Sequence, residues 1–170
     1  MEKWDVYDRE GLLTGYTKTR DDTWTSEEYH LGASVWIANH NGELLIQKRA
    51  ASKKRSPNLW CNIGGSVLSG ETSRQGCVRE VREEVGISID GDALVLLQRL
   101  IFANTICDDY ALVYDFPIDN AIMQPEEVSD VKWASIDDIK SLFSQGLFMI
   151  NSLADIDKVI EFITSQSDIK

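Results

Sequence analysis

Histidine and cysteine are scarce, with two and three copies in 170 residues. With only His30 and His40 present, a histidine-rich metal centre cannot be assembled. The cysteines, Cys61, Cys77 and Cys107, stand at no zinc or redox-motif spacing, and their odd number suits a reduced compartment. Long apolar runs are missing too, so nothing approaches the roughly 20 residues that span a bilayer. Met1-Glu2-Lys3-Trp4-Asp5 leads into no apolar core, so no secretion signal is read and the cytoplasm is the expected location. Positive charge is in short supply: 17 Lys and Arg face 28 Asp and Glu, a formal net charge of -11. That balance excludes a sequence-independent grip on a nucleic acid polymer, which needs a basic surface. There is no internal repeat, low-complexity tract or linker rich in Pro, Gly or Ser, so one domain is expected over residues 1–170.

What is present is ordinary for a globular protein: 43% hydrophobic and 26% charged residues. A chain of this length buries about two-thirds of its unfolded surface, without help from a disulfide or structural metal. Residues 1–28 are expected to form an extension built on a hairpin. Trp4-Asp5-Val6-Tyr7 meets the turn signal Asp8-Arg9-Glu10-Gly11 and returns through Leu12-Leu13-Thr14-Gly15-Tyr16, and residues 20–28 are polar loop. Tyr29 to Ile37 and Glu43 to Lys48 read as a second hairpin across Asn39-His40-Asn41-Gly42. A basic stretch follows, Lys48-Arg49-Ala50-Ala51-Ser52-Lys53-Lys54-Arg55, which is either a solvated loop or a set of anion contacts. Further strands are predicted over 93–103, 109–118 and 128–133. Helices are predicted over 72–85, 136–143 and 152–164, the last with Ile156, Val159, Ile160 and Ile163 on one stripe.

The informative segment runs from Gly65 to Ile87. On a helix, Glu80, Glu83 and Glu84 stand at i, i+3 and i+4 and share one arc. Like charges at these spacings destabilise a helix by a few tenths of a kcal/mol per pair, so the arrangement gains from a cation among them. Hard carboxylate oxygens suit Mg²⁺ or Mn²⁺. Cys77, Val78, Val81 and Val85 make the opposite, apolar face. Arg79 precedes Glu83 by four residues and can fix its rotamer. Gly86 suits a C-cap of positive φ, and Gly64-Gly65 allows a tight bend or a close backbone approach.

This spacing resembles the Nudix box of the Nudix hydrolase superfamily. Gly65, Glu71, Arg79, Glu80, Glu83, Glu84 and Gly86 occupy its fixed positions, and Val81 and Ile87 its aliphatic ones. The resemblance implies an α+β fold, an α-β-α sandwich around a mixed sheet. It implies that Glu80, Glu83 and Glu84 bind Mg²⁺ or Mn²⁺ with the backbone of Gly64-Gly65 close by. It implies that Arg79 orients Glu83 and that Glu71 supports the loop and the metal shell. The reaction implied is hydrolysis of a diphosphate linkage in a small, nucleotide-like molecule. The general base varies among relatives; Glu83 is one candidate and Glu127 another. An acidic protein must reverse its field locally to hold a phosphate, and Arg49 and Lys54 are candidate contacts. Family members are often homodimers, and the N-terminal hairpin is a candidate interface. The box does not say which diphosphate is cut: Trp4, Tyr16, Trp24, Trp60, Phe102, Tyr110 and Phe148 can each stack on a base or fill the core.

A second resemblance competes. Tyr29-His30-Leu31, Trp36-Ile37, Gln47-Lys48-Arg49 and Pro57-Asn58-Leu59-Trp60 ahead of the box are similar to isopentenyl diphosphate isomerase, a proton-transfer enzyme on the same fold. That enzyme's cysteine falls where Gly64 stands here and its histidine where Ser66 stands. Cys61 is displaced by three residues, and His30 reads as a satisfied strand residue. The complete box favours the hydrolase. A non-catalytic binding protein on this scaffold is the third reading, and such proteins usually lose box glutamates.

Overall fold

The computed structural model describes residues 1–149 and 153–167. The strands are β1 (Trp4–Tyr7), β2 (Leu13–Lys18), β3 (Tyr29–Ala38), β4 (Leu44–Arg49), β5 (Trp60–Cys61), β6 (Ile63–Ser66), β7 (Val95–Phe102), β8 (Thr105–Val113) and β9 (Val128–Ala134). The helices are α1 (Ser73–Val85), α2 (Ile136–Ser144) and α3 (Leu153–Ser167). The expected start of the last helix at Ser152 lies outside the described residues. All nine strands join one mixed sheet. No helix among the described residues is long and apolar enough to cross a membrane.

β3 organises the sheet. It runs antiparallel to β1, β4 and β6 and parallel to β8, from His30↔Thr105 to Ala38↔Val113. Its period of two sorts the core. Tyr29, Leu31, Ala33, Val35 and Ile37 pack toward Cys77, Val81 and Val85 of α1. Trp36 and Ala38 face the other way, toward Ile139 of α2 and Ile156 and Val159 of α3. Helices therefore cover both faces, giving the expected α-β-α sandwich.

Two expectations need correcting. The hairpin of β3 and β4 is real but brief: only Ile37↔Leu45 and Ala38↔Leu44 pair. Beyond them the strands diverge, β3 taking β6 as its neighbour and β4 taking β5 and β9. The second strand expected at 109–118 begins earlier, at Thr105, and ends at Val113. Asp108, outside the expected strand, is buried strand together with Asp109, Asp108 receiving Arg99 at 2.6 Å and Asp109 receiving Ser34 at 2.7 Å. The turn lies instead at Ala103-Asn104, where Ala103 has φ 47 and the Asn104 amide donates to the Thr25 and Glu28 carbonyls.

Candidate active site

The divergence of β3 and β4 opens a seam into which β6 and α1 fit. Gly64 and Gly65 lie in β6, paired with Ser34 and Ala33 of β3. They are extended residues and make no tight bend, and their lack of side chains serves close approach. A Cβ on Gly64 would sit 2.4 Å from the Ala33 carbonyl oxygen, and one on Gly65 would sit 2.4 Å from the Glu80 carboxylate.

α1 is fixed at both ends by its own sequence. Thr72 and Gln75 form a capping box, and Gly86 closes the helix at φ 75. Between them the chain presents Arg79 as a hub. Its Nε donates to Glu71 Oε1 at 3.0 Å, its Nη1 to Glu80 Oε1 at 2.8 Å and Glu83 Oε2 at 3.0 Å, and its Nη2 to the Ser66 carbonyl at 2.8 Å. Glu71 also accepts the Leu68 N–H at 3.0 Å, which ties the loop before the helix to the hub. Burial alone would lower the Arg79 pKa; its bonds to Glu71, Glu80 and Glu83 raise it, so it stays a cation.

The three box carboxylates occupy different environments. Glu83 is the open one, its side chain 46% exposed. Glu80 is half-buried under Gly65, and burial raises its pKa against the opposing pull of Arg79. Glu84 is 5% exposed. Burial pushes its pKa up to about 7, aided by the charges of Glu80 and Glu127 and opposed by hydrogen bonds from Gln47 and the Gly64 backbone. The Gln47 Nε2 donates to Glu84 Oε2 at 2.6 Å.

Glu71, Glu80, Glu83 and Glu84 set four carboxylates against one guanidinium, a formal excess of three negative charges. Hard oxygens in excess negative charge fit Mg²⁺ or Mn²⁺ by chemistry. Among the described residues no three His, Cys, Asp or Glu side chains converge on a finished cage, so the carboxylates must turn toward a shared cation to hold it.

A basic rim adjoins this patch. The loop after β4 is tied to the segment before β9, with the Ala50 N–H donating to the Glu127 carbonyl at 2.9 Å and the Ser52 hydroxyl to the Glu126 carbonyl. The Lys53 Nζ pairs with the Glu127 carboxylate. Glu127, a base candidate, is thus engaged by a cation. The same segment reaches the helix, since the Gln124 N–H donates to the Glu84 carbonyl at 3.2 Å. Arg49 is half-buried and its Nε donates to the Arg55 carbonyl, and Lys54 is exposed on the same loop.

Gln47 and Lys53 were not singled out from sequence. The signal for Gln47 was a polar residue ending the apolar run Leu44-Leu45-Ile46; Lys53 was one of several equivalent cations. Of the aromatics, Trp4, Trp60, Tyr110 and Phe148 are buried, whereas Tyr16 and Phe102 are exposed. His30 stacks on Trp4 at 4.6 Å and bonds Thr105 at 2.9 Å, a satisfied strand residue as expected. Cys61 is buried with its thiol pKa pushed up to about 12, which suits a small core residue. An open groove of about 580 Å³ lies elsewhere, lined by Asn39, Glu43, Phe116 and Trp133 among others and by no box residue.

Comparison with known proteins identifies the family and the fold. A family model described as NUDIX domain matches residues 28–154. An uncharacterized Nudix hydrolase of Listeria monocytogenes is 37% identical over 150 residues, spanning 88% of this chain and 89% of that protein. The isopentenyl-diphosphate Delta-isomerase of Citrobacter koseri is 29% identical over 141 residues, spanning 79% of this chain and 76% of its own. A crystal structure of a Deinococcus radiodurans protein matches with TM-score 0.73 at 25% identity, covering 91% of this chain and 96% of that one. With its box intact on the matching fold, the chain belongs to the Nudix hydrolase family, enzymes that hydrolyse phosphoric anhydrides.

Proposed function

We propose that this chain hydrolyses the diphosphate linkage of a small nucleoside-diphosphate-type molecule, using Mg²⁺ or Mn²⁺ held by Glu80, Glu83 and Glu84 beside the main chain of Gly65. The carrying observation is the Arg79 hub, in which one guanidinium faces Glu71, Glu80 and Glu83 with Glu84 buried alongside. A bound divalent cation supplies charge neutralisation at the diphosphate and a lowered pKa for a coordinated water. Glu83 is the group we assign to the proton of the attacking water. Arg79 engages its Oε2 and leaves it substantially exposed, so orientation and access coexist.

The basic rim answers the field of an acidic protein. Arg49, Lys53 and Lys54 supply local positive charge for the substrate phosphates and for the charge that develops on the leaving phosphate ester. Glu127, paired with Lys53, then serves to aim that ammonium. Glu71 and Gly86 act at a distance, by fixing the loop before α1 and the turn after it.

The test is turnover of a panel of nucleoside diphosphate compounds with and without Mg²⁺ or Mn²⁺, read by mass spectrometry. The expected result is metal-dependent splitting of a diphosphate-linked compound into two phosphates. Glu83→Gln should lower turnover by about a hundredfold or more, within the range of general base catalysis, with an unchanged melting temperature. A fully active variant removes Glu83 from the mechanism. The similarity to isopentenyl-diphosphate isomerases supports one further arm, isopentenyl diphosphate itself, with products separated by chromatography. Its conversion to an isomer of equal mass would overturn the hydrolase reading.

A further inference from the structure

All four side chains of Leu44-Leu45-Ile46-Gln47 in β4 are buried, and Gln47 is 1% exposed. A primary amide at such a position loses its water on both sides and needs protein partners in return. It finds them on two elements: Nε2 reaches from the sheet to α1 and donates to Glu84 Oε2 at 2.6 Å, and the side chain also bonds Cys61 of β5. Its Oε1 accepts no hydrogen bond among the described residues. A buried acceptor left unpaired destabilises the fold, and an apolar side chain of the same volume would avoid that cost. Fold stability therefore gives little reason for an amide here, and its short bond to Glu84 gives a specific one.

The geometry makes Gln47 a rigid support. Its strand is bonded on both sides, to Val131 of β9 and to Cys61 of β5, so the backbone under the amide is held. Glu84 is anchored independently through its own carbonyl, which accepts the Gln124 N–H. Arg79 engages Glu71, Glu80 and Glu83. Glu84 takes its side-chain hydrogen bonds from the sheet instead, from Gln47 of β4 and from the Gly64 backbone of β6.

We propose that Gln47 is a positioning residue for the metal site, holding Glu84 Oε2 and so fixing the orientation in which the carboxylate meets the divalent cation. The proposal rests on the reading of Glu84 as a metal ligand. Gln47 touches neither substrate nor cation; it acts by removing the rotamer freedom that Glu84 would otherwise lose on binding.

The test measures Mn²⁺ binding to substrate-free protein by calorimetry, alongside thermal melting without metal. Gln47→Met keeps the volume and removes the amide. Gln47→Asn keeps the amide and withdraws it by one methylene. Glu84→Gln is the control. Loss of a hydrogen-bonded support of this kind lowers metal affinity about 10- to 100-fold. Both Gln47 variants should show that loss, and Gln47→Met should melt no earlier than wild type. A purely structural amide would give the reverse, an earlier melt with Mn²⁺ affinity unchanged, and that overturns the proposal. Should one variant fail to fold, the affinity of the other decides. If Glu84→Gln binds Mn²⁺ as tightly as wild type, the metal reading of Glu84 falls and the Gln47 proposal falls with it. If Glu84→Gln loses affinity and the Gln47 variants do not, only the Gln47 proposal falls.

Discussion

Two adjacent glycines separate two kinds of constraint at the scale of single residues. A methyl on Gly64 meets backbone, the Ala33 carbonyl oxygen at 2.4 Å and the Ser34 Cα at 2.7 Å. Strand pairing prevents either from moving, so Gly64→Ala should destabilise by about 1–3 kcal/mol, the usual cost of overpacking. A methyl on Gly65 meets first the Glu80 carboxylate, the far end of a flexible side chain. Gly65→Ala should therefore leave the melting temperature within a few degrees of wild type while lowering Mn²⁺ affinity at least tenfold. Melting curves and metal titration of the two variants check both halves, and a Gly65→Ala protein with wild-type affinity would separate Glu80 from the metal. Sequence alone placed Gly65 with the metal site and Gly64 with its structural support but did not show what each glycine approaches, because that depends on which face of β6 each occupies. The contact of Gln47 with Glu84 was not legible for a related reason: the two are 37 residues apart.

Elements whose determinants are local were the ones legible in advance. α1 announces its start with Thr72, its period with Cys77, Val81 and Val85, and its end with Gly86, all within one short stretch. The bounds of β8 shifted because Asp108 is buried against Arg99, nine residues back on the neighbouring strand, and Asp109 against Ser34, 75 residues away. The C-cap of α1 has a role beyond ending the helix. Gly86 has φ 75, and a Cβ there would meet Ile122 at 2.8 Å. The Ile122 N–H donates to the Val85 carbonyl, and the same segment continues to Gln124 and Glu127. Gly86→Ala should therefore cost more than the roughly 1–2 kcal/mol of a left-handed alanine, because it also displaces the segment to which the rim loop is tied. Hydrogen exchange at residues 121–128 should rise in that variant, and protection equal to wild type would limit the effect to the helix end.

Across the whole molecule, acid sensitivity has an identifiable contributor. Glu28 accepts the Lys18 ammonium at 2.6 Å, the Thr25 N–H at 2.7 Å and the Tyr16 hydroxyl at 2.8 Å, and these bonds hold its pKa down at about 2. A carboxylate depressed in the folded state stabilises above its unfolded pKa and loses that contribution as pH falls toward the folded one. Wild type should lose stability between about pH 4.5 and 2 more steeply than Glu28→Gln, as read by denaturant unfolding along that range; parallel profiles would mean the carboxylate is unimportant. The expected homodimer also belongs to this scale. Leu12 and Leu13, at the tip of the hairpin and the start of β2, are 64% and 63% exposed and make the N-terminal hairpin the surface to watch. Light scattering should read twice the 19.2 kDa chain mass at micromolar concentration, and a particle of the chain mass would end the idea. The central strand has one further consequence, in time. β3 pairs along its length with β8, and His30 and its partner Thr105 are 75 residues apart. At about 5–20 residues per second of synthesis, β3 leaves the ribosome several seconds before the strand that covers its edge exists. During that interval Val35, Trp36 and Ile37 are an unfinished edge, so production of this protein should depend on translation speed and on helpers that shield nascent chains more than its finished fold suggests.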